Sequence, residues 1–567
     1  MTILSHELFF HYRLDSALYR IDYTLDSSTS QCKYLNISVC DISGTSETQI
    51  PSDQEFRIFV YNPLGQSFEP MIRFPIKGTQ WEIQDENRVP LVSQILKIPQ
   101  AVMQMPGRKY QTDIDHEIVF KSPRIPAVSQ FKFYVKPSNS VHENHSKILK
   151  EAQIFETQRG NYYFDGQKLS AFQSLDGTFY NFTQEYFYYI GHRGNNTEFD
   201  FRASGAYIFR PESSDPIKLK NPTEVRVEEG EFYIQLEMEF ESFASQVLRI
   251  PKKLDDTLAD IEVEWMIGPI PIEDQNGKEF IHKVTMKDWD NQGEFYTDAN
   301  GRQNLKRIRD QRPDYDISNA TFEEPIASNY YPINAWISMQ NQETDDWISI
   351  LTDRSQGGSS ITDDTLELML HRRLLDDDAF GVAQPLNETE FGTGLVARGT
   401  HYLLFSHTEQ EMIRRTRLLA NKIFRKPMVT LGNYYDSQIV VKPSGFYELP
   451  ENVNLLTLAI IPETHQLLVR LEHLFAPGED PEKSQTTMVS LQELLSSSGY
   501  GLGEVIEVQE TTLGGDRWKT DADFEKWKTQ VPLTNPRQEN GEIMGPEFLV
   551  LLDPFQIRSF IVTIQRP

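Results

Sequence analysis

The stretch Thr352–Ser360, TDRSQGGSS, places Asp353, Arg354 and Gln356 beside the pair Gly357 and Gly358. A carboxylate, a guanidinium and an amide this close could hold a polar ligand, and two glycines could admit a phosphate. A phosphate-cradling loop carries a lysine after its last glycine, however, and none follows here. Twelve histidines are scattered along the chain. HENH at 142–145 has an H-x-x-H spacing but no third ligand in sequence. H-x-D, H-E-x-x-H, C-x-x-C and G-x-S-x-G are all missing. GYGLGEV at 499–505 reads as a helix stop and loop. Glycosidic chemistry needs two carboxyl groups at a defined separation across a sugar. With 83 acidic residues, spacing alone selects no pair, and the run Asp376–Asp378 reads as a solvated loop.

The elements that would position such residues are mostly strands. YIQLEMEF puts Ile234, Leu236, Met238 and Phe240 on one side and Gln235, Glu237 and Glu239 on the other, the period of a half-buried antiparallel strand. Residues 131–135, 261–267, 366–370, 455–461 and 557–564 read similarly, with Pro- and Gly-containing turns between them. Many strands separated by turns predict a mainly β fold of several antiparallel β-sandwiches. Two short helices are expected. One has a capping box of Thr408 and Glu411, places Met412, Leu419 and Ile423 near one face, and stops at Pro427; the other has Ser490 with Glu493 and ends at Gly499. Boundaries are expected near 140–165 and 428–446.

A chain of 567 residues suggests roughly three or four domains at about 150 residues each. The net charge of −28 argues against nucleic acid as a partner. No apolar run reaches the roughly 18 residues of a membrane helix. The first twenty residues form no signal peptide. Cys32 and Cys40, the only cysteines, could close a small disulfide loop or be two buried thiols. N-x-[ST] sequons stand at Asn36, Asn144, Asn181, Asn195, Asn319 and Asn387. A sequon inside the Cys loop fits an oxidising, glycosylating compartment, and sequons without a signal peptide predict that the natural N-terminus lies upstream.

Eight motifs stand in one order: CKYLNISVC, FRIFVYNPLG, SGAYIFRP, GEFYTDANGRQNLKRIRD, ASNYYPINAWI, the TDRSQGGSS stretch through HRRLLDDD, LLVRLEHLFAPGED and LDPFQIRSFIV. From residue 32 onward they resemble the β-rich C-terminal region of the lysosomal-type α-mannosidases, glycoside hydrolase family 38. The resemblance implies an unmatched segment 1–31, a small β-sandwich 32–150, a large galactose-mutarotase-like supersandwich 151–445 and a C-terminal β-sandwich 446–567. It implies a Cys32–Cys40 disulfide, lysosomal or secretory localisation, mannose-containing glycans as partners, and a catalytic half that is missing from this sequence. That half would carry the family's zinc and nucleophile, so no cofactor is expected in this chain. Tyr207, the tyrosine of S-G-A-Y, is implied to contact mannose. Phe380 stands where many members carry a substrate-facing arginine. Asp353, Arg354, Gly357 and Gly358 are expected to close a hairpin or hold an interface, the glycines by positive φ or close approach. The function implied is hydrolysis of terminal α-mannosides, inactive in this chain alone. The alternative is a non-catalytic carbohydrate-binding or scaffolding β-protein.

Overall fold

The structure, a computed structural model, describes residues 29–31, 35–40, 55–108, 114–139, 146–255, 258–318, 323–432, 447–462, 464–522 and 543–565. The chain is mainly β, and the pairings between its described strands are antiparallel. The centre is a large sandwich of a nine-stranded and a ten-stranded sheet. Their inner faces enclose one apolar core that includes Phe164, Leu236, Val263, Ile350, Leu368 and Phe405.

Strand Tyr233–Glu241 shows how pattern became packing. Ile234, Leu236 and Met238 enter that core as the alternation predicts. The opposite, polar face is covered too. Gln235 is buried and accepts from Arg249 Nε at 3.1 Å, while Glu237 accepts the Gln100 backbone N–H at 2.6 Å. Gln100 belongs to the first sandwich, so the polar row is an interface between units rather than a solvated surface.

That first sandwich packs a six-stranded sheet on a three-stranded one around Ile58, Phe74, Trp81, Phe120 and Phe133. Its six-stranded sheet includes Met428–Gly432, which pairs with Phe56–Asn62. The chain therefore returns to its first unit after the large sandwich, although these residues were expected to end the latter. Strands Val453–Ile460, Gln466–His473, Glu504–Thr511 and Ile557–Gln565 form the main sheet of the C-terminal unit.

The helix Glu409–Phe424 forms half of its predicted capping box: Thr408 Oγ1 accepts from the Glu411 N–H at 3.2 Å, a contact worth about 1 kcal/mol, while the Glu411 carboxylate accepts the His407 N–H at 3.0 Å. Met412, Leu419 and Ile423 are buried. Its charged side chains do more than pack. Arg415 reaches the buried Asp260, which Arg159 also holds. Arg414 and Arg417 reach Asp480 and Glu479, which ties the C-terminal unit to the large sandwich.

Where the first unit covers the ten-stranded sheet, Glu228 is buried with Oε1 unpaired. Burial raises its carboxyl from 4.5 to about 7, against the Lys97 backbone N–H and with Glu237 as a like charge. The folded form thus favours the proton. Its contribution is full below pH 4.5 and is lost as pH rises through 7, on the order of 3 kcal/mol. Glu228→Gln is expected to raise stability by about that amount at pH 8 and to leave it unchanged at pH 4, as read from urea unfolding at both pH values.

Candidate functional site

Tyr207 and Phe380 are 173 positions apart, and the sheet brings them together. Ile190 ends strand Phe179–Ile190 and pairs with Lys278. Lys278 pairs with Arg373, which ends strand Thr365–Arg373. The segments 191–211 and 374–381 therefore leave the nine-stranded sheet side by side. The first contains S-G-A-Y and the second D-D-D-A-F-G.

Two carboxylates fix these segments. Asp378 is fully buried. Its Oδ2 accepts the backbone N–H groups of Tyr207 at 2.6 Å and Ile208 at 3.0 Å, and its Oδ1 accepts that of Phe380 at 3.2 Å. One side chain thus bolts both segments together. Gly205 permits this, since a Cβ there would stand 2.7 Å from Asp378 Cβ. Below, Glu279 is wholly buried and accepts from Arg372 Nε at 2.8 Å and from Ser204 Oγ at 2.9 Å. Burial raises its carboxyl even against Arg372 and Ser204. Arg372 also donates to the Ile208 carbonyl at 2.8 Å.

What these anchors present is an aromatic face. Tyr207 is 68% exposed, Phe199 60% and Phe380 47%. The Tyr207 and Phe380 ring centroids are 6.4 Å apart, and Phe199 lies equally close to Phe380 on another side. Arg202 stacks over the Phe380 ring at 4.4 Å. Its Nη1 donates to the carbonyls of Asp378 and Ala379, both at 2.8 Å. The Tyr207 hydroxyl has no hydrogen-bond partner among the described residues, so it is available to a hydroxyl-bearing ligand while the rings offer a surface for C–H groups.

Three buried acids around this face are committed to internal bonds. Asp378 and Glu279 are spent as anchors. Glu367 is buried and accepts from the hydroxyls of Tyr189 at 3.0 Å and Tyr330 at 2.5 Å. Among the described residues no group of three His, Cys, Asp or Glu side chains could hold a metal ion, and no step below is routed through one. The HENH segment at 142–145 lies outside the described residues.

The TDRSQGGSS stretch is not a hairpin. Trp347–Thr352 pairs with Trp336–Gln340 and Ala397–Ser406 in the ten-stranded sheet. Gln356–Ser359 pairs with Tyr331–Ile333 and Thr365–Arg373 in the nine-stranded one. The segment crosses between layers, because each flanking strand has its apolar partners in a different sheet. Its polar residues are used inside the protein. Asp353 accepts from Arg354 Nε at 2.9 Å and from the Thr400 N–H at 3.0 Å. Arg354 lies over Trp265, and Gln356 reaches His401. Gly357 and Gly358 lie in the strand without positive φ. Close approach is what they permit, as a Cβ on Gly358 would sit 2.8 Å from Ile333 Cγ1.

Cys32 lies outside the described residues; Cys40 is buried, and no described cysteine is free. Asn36, Asn181 and Asn195 are exposed. Asn387 is half-buried with its Oδ1 accepting from Arg373 Nε at 2.7 Å. Asn144 and Asn319 lie outside the described residues. Asp378 escaped the sequence reading, since an acid in a run of three looks solvated. Its one visible signal was its place just before Phe380.

Comparison with known proteins gives this face a setting. Residues 166–380 match the glycosyl hydrolases family 38 C-terminal domain, a span holding both Tyr207 and Phe380. The chain is 33% identical over 559 residues to the lysosomal alpha-mannosidase of Cavia porcellus, covering 94% of this chain and 51% of that protein. It is 32% identical to the human lysosomal alpha-mannosidase, covering 97% and 52%, and 32% identical to an alpha-mannosidase of Arabidopsis thaliana, covering 94% and 53%. The chain thus spans about half the length of the curated relatives it matches. The fold resembles that of an alpha-mannosidase from Enterococcus faecalis, with a TM-score of 0.52 at 11% identity, covering 90% of this chain and 56% of that one. Residues 166–380 thus match a glycosyl hydrolases family 38 C-terminal domain, and the chain around them is similar to lysosomal alpha-mannosidases.

Proposed function

We propose that this chain is the β-rich C-terminal part of a lysosomal-type α-mannosidase, acting on terminal α-mannosides of glycans in the lysosome or secretory pathway. The observation that carries the reading is the aromatic face on which Tyr207 and Phe380 meet, built by segments inside the matched family domain. Tyr207 would exchange a hydrogen bond with a sugar hydroxyl. Phe380 and Phe199 would pack against the ring's C–H groups, and Asp378 would hold Tyr207 in place. A retaining glycosidase needs a nucleophile and an acid on opposite sides of one bond. Asp378, Glu279 and Glu367 cannot serve, since each is buried and already bonded. In this reading the two catalytic carboxyls come from a partner region that docks on this face. The test joins this chain to the remaining half of the Cavia porcellus enzyme. Turnover of an aryl α-mannoside is expected from the joined protein and not from this chain alone. A joined protein that folds but shows no turnover would count against the proposal.

A second reading, a non-catalytic mannose-binding or scaffolding protein, is favoured by Phe380. A phenyl ring at a substrate-facing arginine position removes a charged donor. Binding of methyl α-mannoside without turnover in the joined protein would support it.

The secretory setting carries its own expectation. We propose a Cys32–Cys40 disulfide and N-glycans on the exposed Asn36, Asn181 and Asn195, with Asn144, Asn319 and Asn387 as further acceptors. Peptide mapping of non-reduced protein from a glycosylating host should find the disulfide and at least one occupied sequon. Two free thiols and no glycan would contradict it.

A further inference from the structure

Two histidines meet in the middle of the large sandwich, away from the aromatic face. His282 lies on strand Lys278–Met286 of the nine-stranded sheet and His401 on strand Ala397–Ser406 of the ten-stranded one. Both are fully buried. Their rings stack 5.0 Å apart, with Nδ1 facing Nδ1 at 2.8 Å. A distance that short requires one hydrogen between the two nitrogens.

The outer nitrogens decide which ring carries it. Gln356 Nε2 donates to the Met369 carbonyl at 2.7 Å. Its Oε1 is thereby turned to His401 Nε2, 2.8 Å away, and that nitrogen must bear hydrogen. A neutral His401 then has a bare Nδ1, so the shared hydrogen belongs to His282 Nδ1. Neutral His282 in turn has a bare Nε2, which needs a donor. Gln184 stands there at 2.9 Å. Its amide must present nitrogen to the ring, with oxygen in the other position. Oxygen and nitrogen of a glutamine amide are distinguished only by such networks. The opposite assignment leaves Gln184 Nε2 buried without a partner.

A charged pair would satisfy the same contacts with both glutamine oxygens facing inward. It would place a cation in the core with no carboxylate on either ring, at a cost of several kcal/mol. The groups that face the pair do not offset this. Arg354, paired with Asp353, is the charged neighbour of His401 and opposes a second cation. Tyr186 stacks on His282 and donates to Gln246 at 2.8 Å. Trp265 lies beside His401.

We infer that Gln184, His282, His401 and Gln356 form a neutral hydrogen-bond chain running in one direction, which latches the two sheets and makes the large sandwich sensitive to acid. Hydrogen is donated from the Gln184 amide to His282 Nε2, from His282 Nδ1 to His401 Nδ1, from His401 Nε2 to Gln356 Oε1, and from Gln356 Nε2 to Met369. Burial depresses both imidazoles, His401 to about 3. A base whose folded pKa is depressed contributes stability that is present above its unfolded value of 6.5 and lost as pH falls toward the folded one. The TDRSQGGSS stretch thereby gains a purpose, since its Gln356 sets the direction of the chain.

The experiment is 15N NMR of histidine-labelled full chain between pH 8 and 5, beside urea unfolding of the wild type and His401→Gln. Burial also depresses His371 and His473, so the signals are assigned by their loss in the His282→Gln and His401→Gln variants; His282 is expected neutral and protonated at Nδ1, and His401 neutral and protonated at Nε2. His401→Gln should bind one proton fewer on unfolding between pH 6 and 4. The unfolding constant of the wild type would then rise about tenfold more per pH unit than that of the variant. If His401→Gln does not fold, the His282 signal, assigned by its loss in His282→Gln, decides alone. Twelve histidines that all titrate near 6.5, an imidazolium at pH 8, or parallel unfolding slopes would overturn the inference.

Discussion

Replacing Asp378 with alanine is expected to cost about 3 kcal/mol of stability or more and to abolish the function of the Tyr207 face. The carboxylate accepts the N–H groups of Tyr207, Ile208 and Phe380. Its removal leaves three inward-facing donors without a partner, each costing roughly 1–3 kcal/mol. The two segments then lose the side chain that holds three of their backbone N–H groups, leaving Arg202, Asn196 and Arg193 to span them. Asp376 serves as the control. It pairs with Arg193 at 3.2 Å near the surface, and such pairs are worth at most about 1 kcal/mol. Urea unfolding should separate Asp378→Ala from Asp376→Ala by several-fold in free energy. Equal effects would mean that Asp378 is no bolt.

Arg372→Met is expected to destabilise the chain by about 3–5 kcal/mol at pH 8, because it leaves the buried Glu279 without its cation. The cost should shrink on acidification. Glu279 already has a raised carboxyl, and without Arg372 it rises further. The sign follows from an acid whose folded value is above its unfolded 4.5: stability is full below 4.5 and is lost as pH rises. Unfolding at pH 5 and pH 8 should therefore show a smaller penalty at pH 5. A pH-independent penalty would assign the loss to packing alone.

The mainly β fold was legible because alternation such as Ile234–Leu236–Met238 is a local property. The N-caps at Thr408 and Ser490 were legible for the same reason, and Ser490 Oγ accepts from the Glu493 N–H at 3.1 Å, although neither glutamate closes the other half of a capping box. What lay beyond reach was non-local. The polar face of Tyr233–Glu241 looked solvated, since nothing in it tells that Gln100 will cover it. Met428–Gly432 looked like the end of one unit, and only pairing with Phe56–Asn62 returns it to the first. The TDRSQGGSS stretch looked like a hairpin because two strands close in sequence usually pair. Here each found its partners in a different sheet.

The candidate site divided in the same way. Tyr207 and Phe380 were found through the family resemblance, and that they share a face follows only from the register Ile190–Lys278–Arg373. Asp378 was hidden because burial, which turns an ordinary acid into an anchor, is not written in its neighbours. Phe199 and Arg202 carry no motif at all, and reach the face only through the course of segment 191–211.

In the proposed function the Tyr207 hydroxyl meets the sugar. Tyr207→Phe removes that one atom group and disturbs no internal bond, since the hydroxyl has no partner among the described residues. The direct measurement is kcat/KM for an aryl α-mannoside in this chain joined to the remaining half of the Cavia porcellus enzyme, beside the melting temperature. A lost neutral hydrogen bond of about 0.5–1.5 kcal/mol lowers kcat/KM by roughly two- to thirteenfold. The expected result is that fall with an unchanged melting temperature. An unchanged kcat/KM, or turnover by the isolated chain that is indifferent to Tyr207, would contradict the account.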